Sequence, residues 1–380
     1  MLENLQGIRL ILKMGKGRPK PVPYNVIIAL TNIEVTDNAV TRDQFQMTFT
    51  AGKKQARDYG LLRTDLFQPN NRVAIALQIG ARVEPLISGV VKHFQLNPSN
   101  EIGMSTFTVT GEALDLILDM KERNAAYHQQ TDTSILQTII NDYASKGIDL
   151  NISNKANNLE QPDDNHLVPR QYATDLEYIQ QMAERNGFVF YSDPLPNGDA
   201  RMYWGPEIRS GPRQPPLTLN MASATNVTQL NFVQDTRTPF TTQGSALQEG
   251  SRQKSDDDIS PPTQFDVDDL AASETPSNDR IVLMREIAKY TQSRAETRAR
   301  ELMKAKFNAV TANGEVDTVR YGYIIRAGGV IGVRGAGALY NGDYYVSMVK
   351  HVIERGKYIQ SFTLQREGLG ATSDTLRGIR

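Results

Sequence analysis

Three separated stretches of this chain alternate apolar and polar residues with a period of two, and that pattern limits its fold more than any other feature. In DQFQMTFTA, residues 43–51, Phe45, Met47 and Phe49 fall on one side of an extended chain and Gln44, Gln46, Thr48 and Thr50 on the other. Val73, Ile75, Leu77 and Ile79 repeat the pattern in RVAIALQIG, and Phe107 and Val109 repeat it in STFTVTG. Clusters of Asn, Pro, Ser and Gly separate the runs, as turns between strands require. Residues 1–112 therefore read as an antiparallel β module, a barrel or a strongly curved sheet.

The texture then changes. TDTSILQTIINDYASKG, from Thr131, places Ile135, Leu136, Ile139, Ile140 and Tyr143 on one helical face, with Thr131 or Thr133 as N-cap and Gly147 as the stop. RQYATDLEYIQQMAERNGFVFYSD, residues 170–193, holds a second such unit. Thr174 and Glu177 have capping-box spacing, Leu176, Ile179 and Met182 line one face, and Gly187 ends the helix before the strand FVFY. Residues 113–225 read as a mixed α/β module finishing near the lone Trp204.

Residues 246–280 are rich in Ser, Pro and Asp and poor in aliphatic periodicity, so they read as an acidic exposed loop, either solvated filler or a docking arm for a basic neighbour. Beyond it, Ser293 and Glu296 open an expected helix, SRAETRARELMKAKF, and strands return at VDTVRYGYII. A second β module is assigned to 226–245 and 281–370, with 371–380 as a C-terminal tail.

The two β modules share a pattern. SGVVKHFQLNPSNEIGMSTFTVTG (88–111) and VSMVKHVIERGKYIQSFTLQREG (346–368) match at Val91-Lys92-His93 and Val349-Lys350-His351, and again at Phe107-Thr108-Val109 and Phe362-Thr363-Leu364. An alternating strand ending in glycine precedes each, RVAIALQIG and GVIGVRGAG. Strand, VKH, turn and strand in one order suggest one β module used twice, with His93 and His351 on equivalent strands, as are Phe107 and Phe362. A cyclic trimer of such a chain would present six similar modules around one axis, letting a three-fold body meet a six-fold ring. Two unrelated sheets in a monomer remain the alternative.

Bulk composition narrows the function classes. At 380 residues the chain can bury a large core spread over two or three domains, and 39% hydrophobic and 22% charged residues with a formal net charge of -1 describe an ordinary globular protein. Basic residues such as Lys121, Arg123 and Arg170 are interleaved with acids, so the coherent positive surface of a nucleic-acid binder is lacking. There is no cysteine, which removes disulfides, thiolate metal sites and a cysteine nucleophile and fits a reducing cytoplasm. The N-terminus lacks the charged-then-apolar order of a secretory signal, and among the longest apolar runs is the strand-sized NVIIAL at 25–30, so no membrane span is expected.

The segment QYATDLEYIQQMAERNGFVFY closely resembles the one that marks baseplate hub proteins of contractile tails: the phage late-control-D family, the hub half of VgrG-type type VI spike proteins, and their counterparts in extracellular contractile injection systems. Tyr172, Asp175, Leu176, Ile179, Ala183, Glu184, Gly187, Phe188 and Tyr191 occupy the places of that motif. With the flanking repeat, the resemblance spans most of residues 1–370. It implies an α+β, β-rich fold of two tube-protein-like antiparallel β-barrel domains flanking an inserted α/β domain. It also implies a structural homotrimer that adapts a hexameric inner tube, or a tube-initiator protein, to a trimeric spike within a baseplate, assembled in a bacterial cytoplasm and carried in a virion or contractile particle. Because the chain ends at GLGATSDTLRGIR without a needle, the spike is expected to be a separate polypeptide.

No catalytic, cofactor or metal site is expected. The glycines of AGGVIGVRGAG are followed by strands rather than a helix N-terminus, so they read as turn glycines and not a phosphate loop; GKGRPKP, from Gly15, reads as a basic turn. His93, His128, His166 and His351 form no metal-binding spacing, and Asp163–His166 reads as a solvent-facing turn. Asp115, Asp119 and Glu122 invite an acid/base pairing but follow a helical spacing that reads as a solvated face. A tail-associated cell-wall hydrolase is the enzymatic alternative, and a surface-carbohydrate binder is a third reading.

Overall fold

The computed structural model describes residues 7–54, 58–59, 61, 64–101, 103–152, 168–234, 241–244, 246–247, 254–255, 281–284 and 308–369. Outside them lie most of the expected acidic loop (248–253 and 256–280), the expected helix from Ser293, the Asp163–His166 segment and the tail at 371–380.

The period-two stretches become the centre of one 13-stranded sheet. In Gln44–Thr50 and Thr106–Ala113 every second residue is buried, so the alternation read from sequence is the division between core and outer face. Arg72–Ile79 is buried on both faces over most of its length, because its second face lies against the inserted module. This β-rich α+β architecture, dominated by antiparallel pairing, agrees with the expected fold class. Hydrogen bonding runs without a break from one half of the sheet to the other.

Each half contributes six main strands. In the first they are Ile8–Gly15, Leu30–Asn38, Gln44–Thr50, Arg72–Ile79, Arg82–Asn97 and Thr106–Ala113. In the second they are Arg213–Thr218, Gln229–Gln234, Val310–Asp317, Val330–Arg334, Gly342–Glu354 and Lys357–Arg366. Numbered along the chain within each half, both follow the spatial order 2-3-6-5-4-1. The fifth strand of each carries a bulge where its pairing with the sixth shifts, between Val91 and His93 and between Val346 and Met348. One strand breaks the likeness: the first is antiparallel to the fourth in the first half and parallel to it in the second.

The inserted module carries its own core, in which Ile135, Leu136, Ile139, Leu176, Ile179, Met182 and Trp204 are buried together. A three-stranded sheet of Ile148–Ile152, Ala200–Gly205 and Val189–Pro194 packs with helices Asp132–Asn141 and Asp175–Asn186. Both helices start at threonine caps: Thr131 accepts from the Ser134 N–H and Thr174 from the Glu177 N–H, each at 3.2 Å. Gly187, left-handed, closes the second.

Two local expectations change, and one strand-sized run is helical. Arg213–Thr218, assigned to the inserted module by its position before residue 225, pairs with Val330–Arg334 in the large sheet. NVIIAL is not a strand: Pro23 precedes a helix, Tyr24–Ala29, and the strand begins only at Leu30. VDTVRYGYII is extended only as far as Asp317, whose carboxylate accepts the N–H groups of Val319 and Arg320 and starts the short helix Thr318–Tyr321.

Candidate functional site: the seam and its buried ions

The two halves meet where Leu30–Asn38 lies antiparallel to Gly342–Glu354, with Ile353 opposite Ile33 and His351 opposite Val35. Ile33 and Val35 are fully buried there. His351 is buried too, its Nδ1 2.9 Å from the Tyr358 hydroxyl, and burial lowers its pKa to about 3, so the imidazole stays neutral near pH 7. On the other face Lys350 reaches Glu34 at 2.8 Å.

All three parts of the chain converge on Arg326. Its guanidinium donates to the Pro85 carbonyl and stands 3.9 Å from Glu84. The next amide, Ala327, donates to Asp37 at 3.1 Å, and Asp43 accepts the Asn38 N–H at 2.7 Å. Burial raises the pKa of Asp37 and of Asp193 from the inserted module, against the pull of Arg326, and raises that of Asp43 further still. Arg326 is half-buried, and its loss would leave Asp43, the buried acid of the group, without the cation that offsets the cost of its burial.

A second ionic cluster fixes the inserted module to the first half. Arg42 contacts Glu112 and reaches Asp119 at 3.0 Å and Asp115 at 3.6 Å. The Thr174 hydroxyl, already a helix cap, donates to Asp119 at 2.8 Å. Asp115 is buried, not on a solvated helix face, and burial raises its pKa to about 6; Asp119 and Glu122 are more exposed. Burial opposes it, but hydrogen bonds from Lys92 and Arg42 hold Glu112 below the ordinary glutamate value. Nearby, Arg72 donates to the carbonyls of Lys146 and Gly198 and to Asp199.

The motif residues separate by role. Asp175 is a buried anchor, accepting from the Tyr143 hydroxyl and Gln171 amide at 2.7 Å each and from Arg123 at 3.0 Å. Burial, then that bond, pushes Tyr143 up to about 12. Leu176 and Ile179 enter the module core, and Phe188 meets Trp204 edge-on. Tyr191 stacks on Tyr203 and crosses to the second half, where a Cβ on Gly328 (φ +78°) would lie 3.0 Å from its ring. Tyr172 points outward, 65% exposed.

The repeat residues do not occupy matched positions. His93 is exposed and opposite Thr110 immediately after its bulge, whereas His351 is buried, opposite Gln360, several residues past its own. Phe107 faces Leu96, and Phe362 faces Val349. Counting from the bulges, Phe94 is the counterpart of Val349 and Val109 that of Phe362, so the VKH match names the right strands in a register three residues out.

Sequence reading missed Arg42, Arg72, Arg326, Asp37, Asp43 and Asp193. A signal existed for some of them: Arg72 heads the apolar run VAIAL, and Asp43 opens the strand QFQMTFT. Among the described residues no group of three or more His, Cys, Asp or Glu could hold a metal ion, and no helix is long and apolar enough to cross a membrane.

The sheet thus carries one strand order twice, with an α/β module joined to it through clusters of ionic side chains. The chain belongs to the phage tail baseplate hub family (GPD), whose sequence profile matches residues 41–357. Its fold is similar to that of a 43 kDa tail protein of prophage MuSo2 from Shewanella oneidensis, at 14% identity and TM-score 0.65, covering 95% of this chain and 98% of that one. A tail protein from Neisseria meningitidis MC58 is similar at 12% identity and TM-score 0.63, over 96% and 98%. An Escherichia coli type VI secretion component, itself described as similar to the T4 tail proteins gp27 and gp5, gives 15% identity and TM-score 0.55, over 88% and 73%. No significant match is found among curated proteins.

Proposed function

We propose that this chain is the central hub of a contractile-tail baseplate, a homotrimer whose two like halves imitate six subunits. One face of that ring receives the hexameric inner tube or its initiator, and the other holds a trimeric spike. The observation that carries this reading is the strand order 2-3-6-5-4-1 occurring twice in one sheet, with the halves joined edge to edge. Two such units per chain are what three chains need to match six-fold symmetry.

Under this reading the first β domain comprises 1–112, the inserted domain runs from 113 to the turn before Arg213, and the second β domain takes the rest to about 370. Asp175, Leu176, Ile179, Gly187, Phe188 and Tyr191 shape and seat the inserted domain, and the exposed Tyr172 is offered to another baseplate protein. The strand residues His93, Phe107, His351 and Phe362 serve the two sheets, not a reaction. The role is mechanical, in a virion or contractile particle, without turnover. Support against the hydrolase alternative comes from two of the three carboxylates named for it: Asp115 and Asp119 are both engaged by Arg42.

Cryo-electron microscopy of a tail particle carrying a tagged chain tests this directly. Three copies on the axis between tube and spike are expected. Copies on the periphery, or six on the axis, would contradict the reading, and cleavage of peptidoglycan by the purified chain would favour the hydrolase.

A further inference from the structure

Two runs of opposite charge stand apart from the ion clusters described above. Residues 4–33 hold five cations, Arg9, Lys13, Lys16, Arg18 and Lys20, and no acid. All but Arg9 fall at the end of one hairpin, where Ile8–Gly15 turns through Gly17 (φ +70°) into Lys20–Pro21, the last strand of the large sheet. The turn is seated on the inserted module: a Cβ on Gly198 (φ +89°) would lie 2.9 Å from Pro19, and Lys13 donates to the Pro196 carbonyl at 3.4 Å. Lys16, Arg18 and Lys20 are exposed, as is Lys146, whose carbonyl accepts from Arg72 at the same corner. Asp199 lies there too, but it is shared by Arg18 at 3.4 Å and the buried Arg72 at 3.2 Å. Lys16, Lys20 and Lys146 pair with no acid among the described residues.

The complement is in the sequence. Residues 256–279 hold eight acids, beginning with Asp256–Asp258, and no cation. No other stretch of the chain carries as many charges of its sign uninterrupted by the opposite one, for either run. Uncompensated runs of like charge repel themselves, so each gains by meeting the other. The acidic stretch lies outside the described residues, but its flanks do not. Thr241–Gly244 pairs in parallel with Ile281–Met284, and Ala246–Leu247 pairs with Lys254–Ser255, so both ends of the stretch leave from one place. The hairpin, for its part, is not built to take a further strand. Pro19 and Pro21 lack the N–H groups a ladder needs, so whatever docks there does so through side chains.

We propose that the hairpin around Lys13–Lys20 is the docking surface of the chain's own acidic stretch, residues 256–279, held by Lys16, Arg18, Lys20 and Lys146. Reach allows this within one chain. Gln229–Gln234 and Lys20–Pro21 stand at the two ends of a path of 11 strands, about 48 Å across when laid flat, and the chain from Gln234 to Asp256 spans up to about 70 Å. Because the contact is intramolecular, it stands or falls independently of the trimer proposed above. It also gives the one unmixed basic run of the chain a partner other than nucleic acid, which the eight acids would repel.

Carbodiimide joins an amine to a carboxylate without a spacer, and so reads ion pairs directly. On the purified full chain, peptide mass mapping should find Lys16 or Lys20 joined to an acid within 256–279, in material that runs as a single chain on a denaturing gel. Joining of Lys350 to Glu34, 2.8 Å apart and partly exposed, is the internal control. The hairpin cross-links should fall several-fold between about 50 and about 500 mM salt, as screening shortens the range of exposed charges. Lys16→Gln/Lys20→Gln removes two exposed side chains and should lower the yield at Lys146 about fivefold, with the far-ultraviolet circular dichroism unchanged. A joined control with no cross-link from the hairpin to 256–279 overturns the proposal. So do cross-links found only in bands of two or three chains, or acids of 256–279 joined to lysines elsewhere. Duplex DNA binding by the native chain that Lys16→Gln/Lys20→Gln abolishes would assign the hairpin to nucleic acid and overturn it as well.

Discussion

The two halves of the sheet solve one packing problem with opposite residues. In the first, Phe45 on strand three lies over Gly111 on strand six, where an added Cβ would come within 2.4 Å of the ring. In the second, the matched pair is small on strand three and large on strand six, Ala312 facing Leu364, and so is the next pair along, where an added Cβ on Gly314 would come within 2.6 Å of the Phe362 ring. Large and small have exchanged strands, so the topology is kept while the sequence correspondence is scrambled. A close-packed interior fixes the sum of facing volumes and not which strand supplies each. The glycines also differ in degree: a Cβ on Gly111 would meet the Val90 carbonyl at 2.2 Å, whereas on Gly314 it would meet the tip of the Phe362 ring at 2.6 Å and the Gln229 carbonyl at 2.7 Å.

The largest expected effect follows from that difference. Gly111→Ala should cost more than about 3 kcal/mol in urea unfolding, because backbone has to move. Gly314→Ala should cost less and be recovered in part by Phe362→Leu, which frees the ring contact but not the one with the Gln229 carbonyl; equal costs for the two glycines, or no recovery, would break the comparison.

Next in size is Asp115→Asn, which probes the acid buried where the inserted module meets the first half. The folded carboxyl holds its proton to about pH 6 and the unfolded one to 3.8, so its stabilising contribution is full below pH 4 and is lost as pH rises through 6. Relative to the native chain the variant should gain up to about 3 kcal/mol between pH 4 and 7, and a pH-independent difference would contradict the assignment. Thr174→Ala removes a helix cap together with the bond to Asp119, at a cost of about 1–2 kcal/mol. Hydrogen exchange should then quicken in Asp175–Asn186 before it quickens in either half of the large sheet. The smallest effect is expected for Glu34 and Lys350 across the seam, where a double-mutant cycle should return no more than about 0.5 kcal/mol and less in high salt, since both side chains are partly exposed.

Much of this was legible in the sequence, for identifiable reasons. Period-two runs and capped helices are local signals, so the core faces of Gln44–Thr50 and Thr106–Ala113 and the span of Asp175–Asn186 could be read directly. Strand equivalence was readable through the VKH and SFT matches, but register was not, because each bulge adds one residue to a strand without a sequence mark. The module boundary was misplaced because strand one of the second half, RQPPLT, has two prolines and no alternation, and it joins the sheet only through Val330–Arg334. The ion clusters around Arg42 and Arg326 gather residues distant in the chain, and no local pattern reports such a meeting.

The central claim is that two halves with one strand order act as near-equivalent units, so that three chains make a ring of six. Rotational averaging of electron-microscopic views down the axis of the purified assembly tests it most directly. The account predicts three-fold symmetry with a strong six-fold component in the ring of β density, and three-fold density without that component, or a two-fold particle, would contradict it.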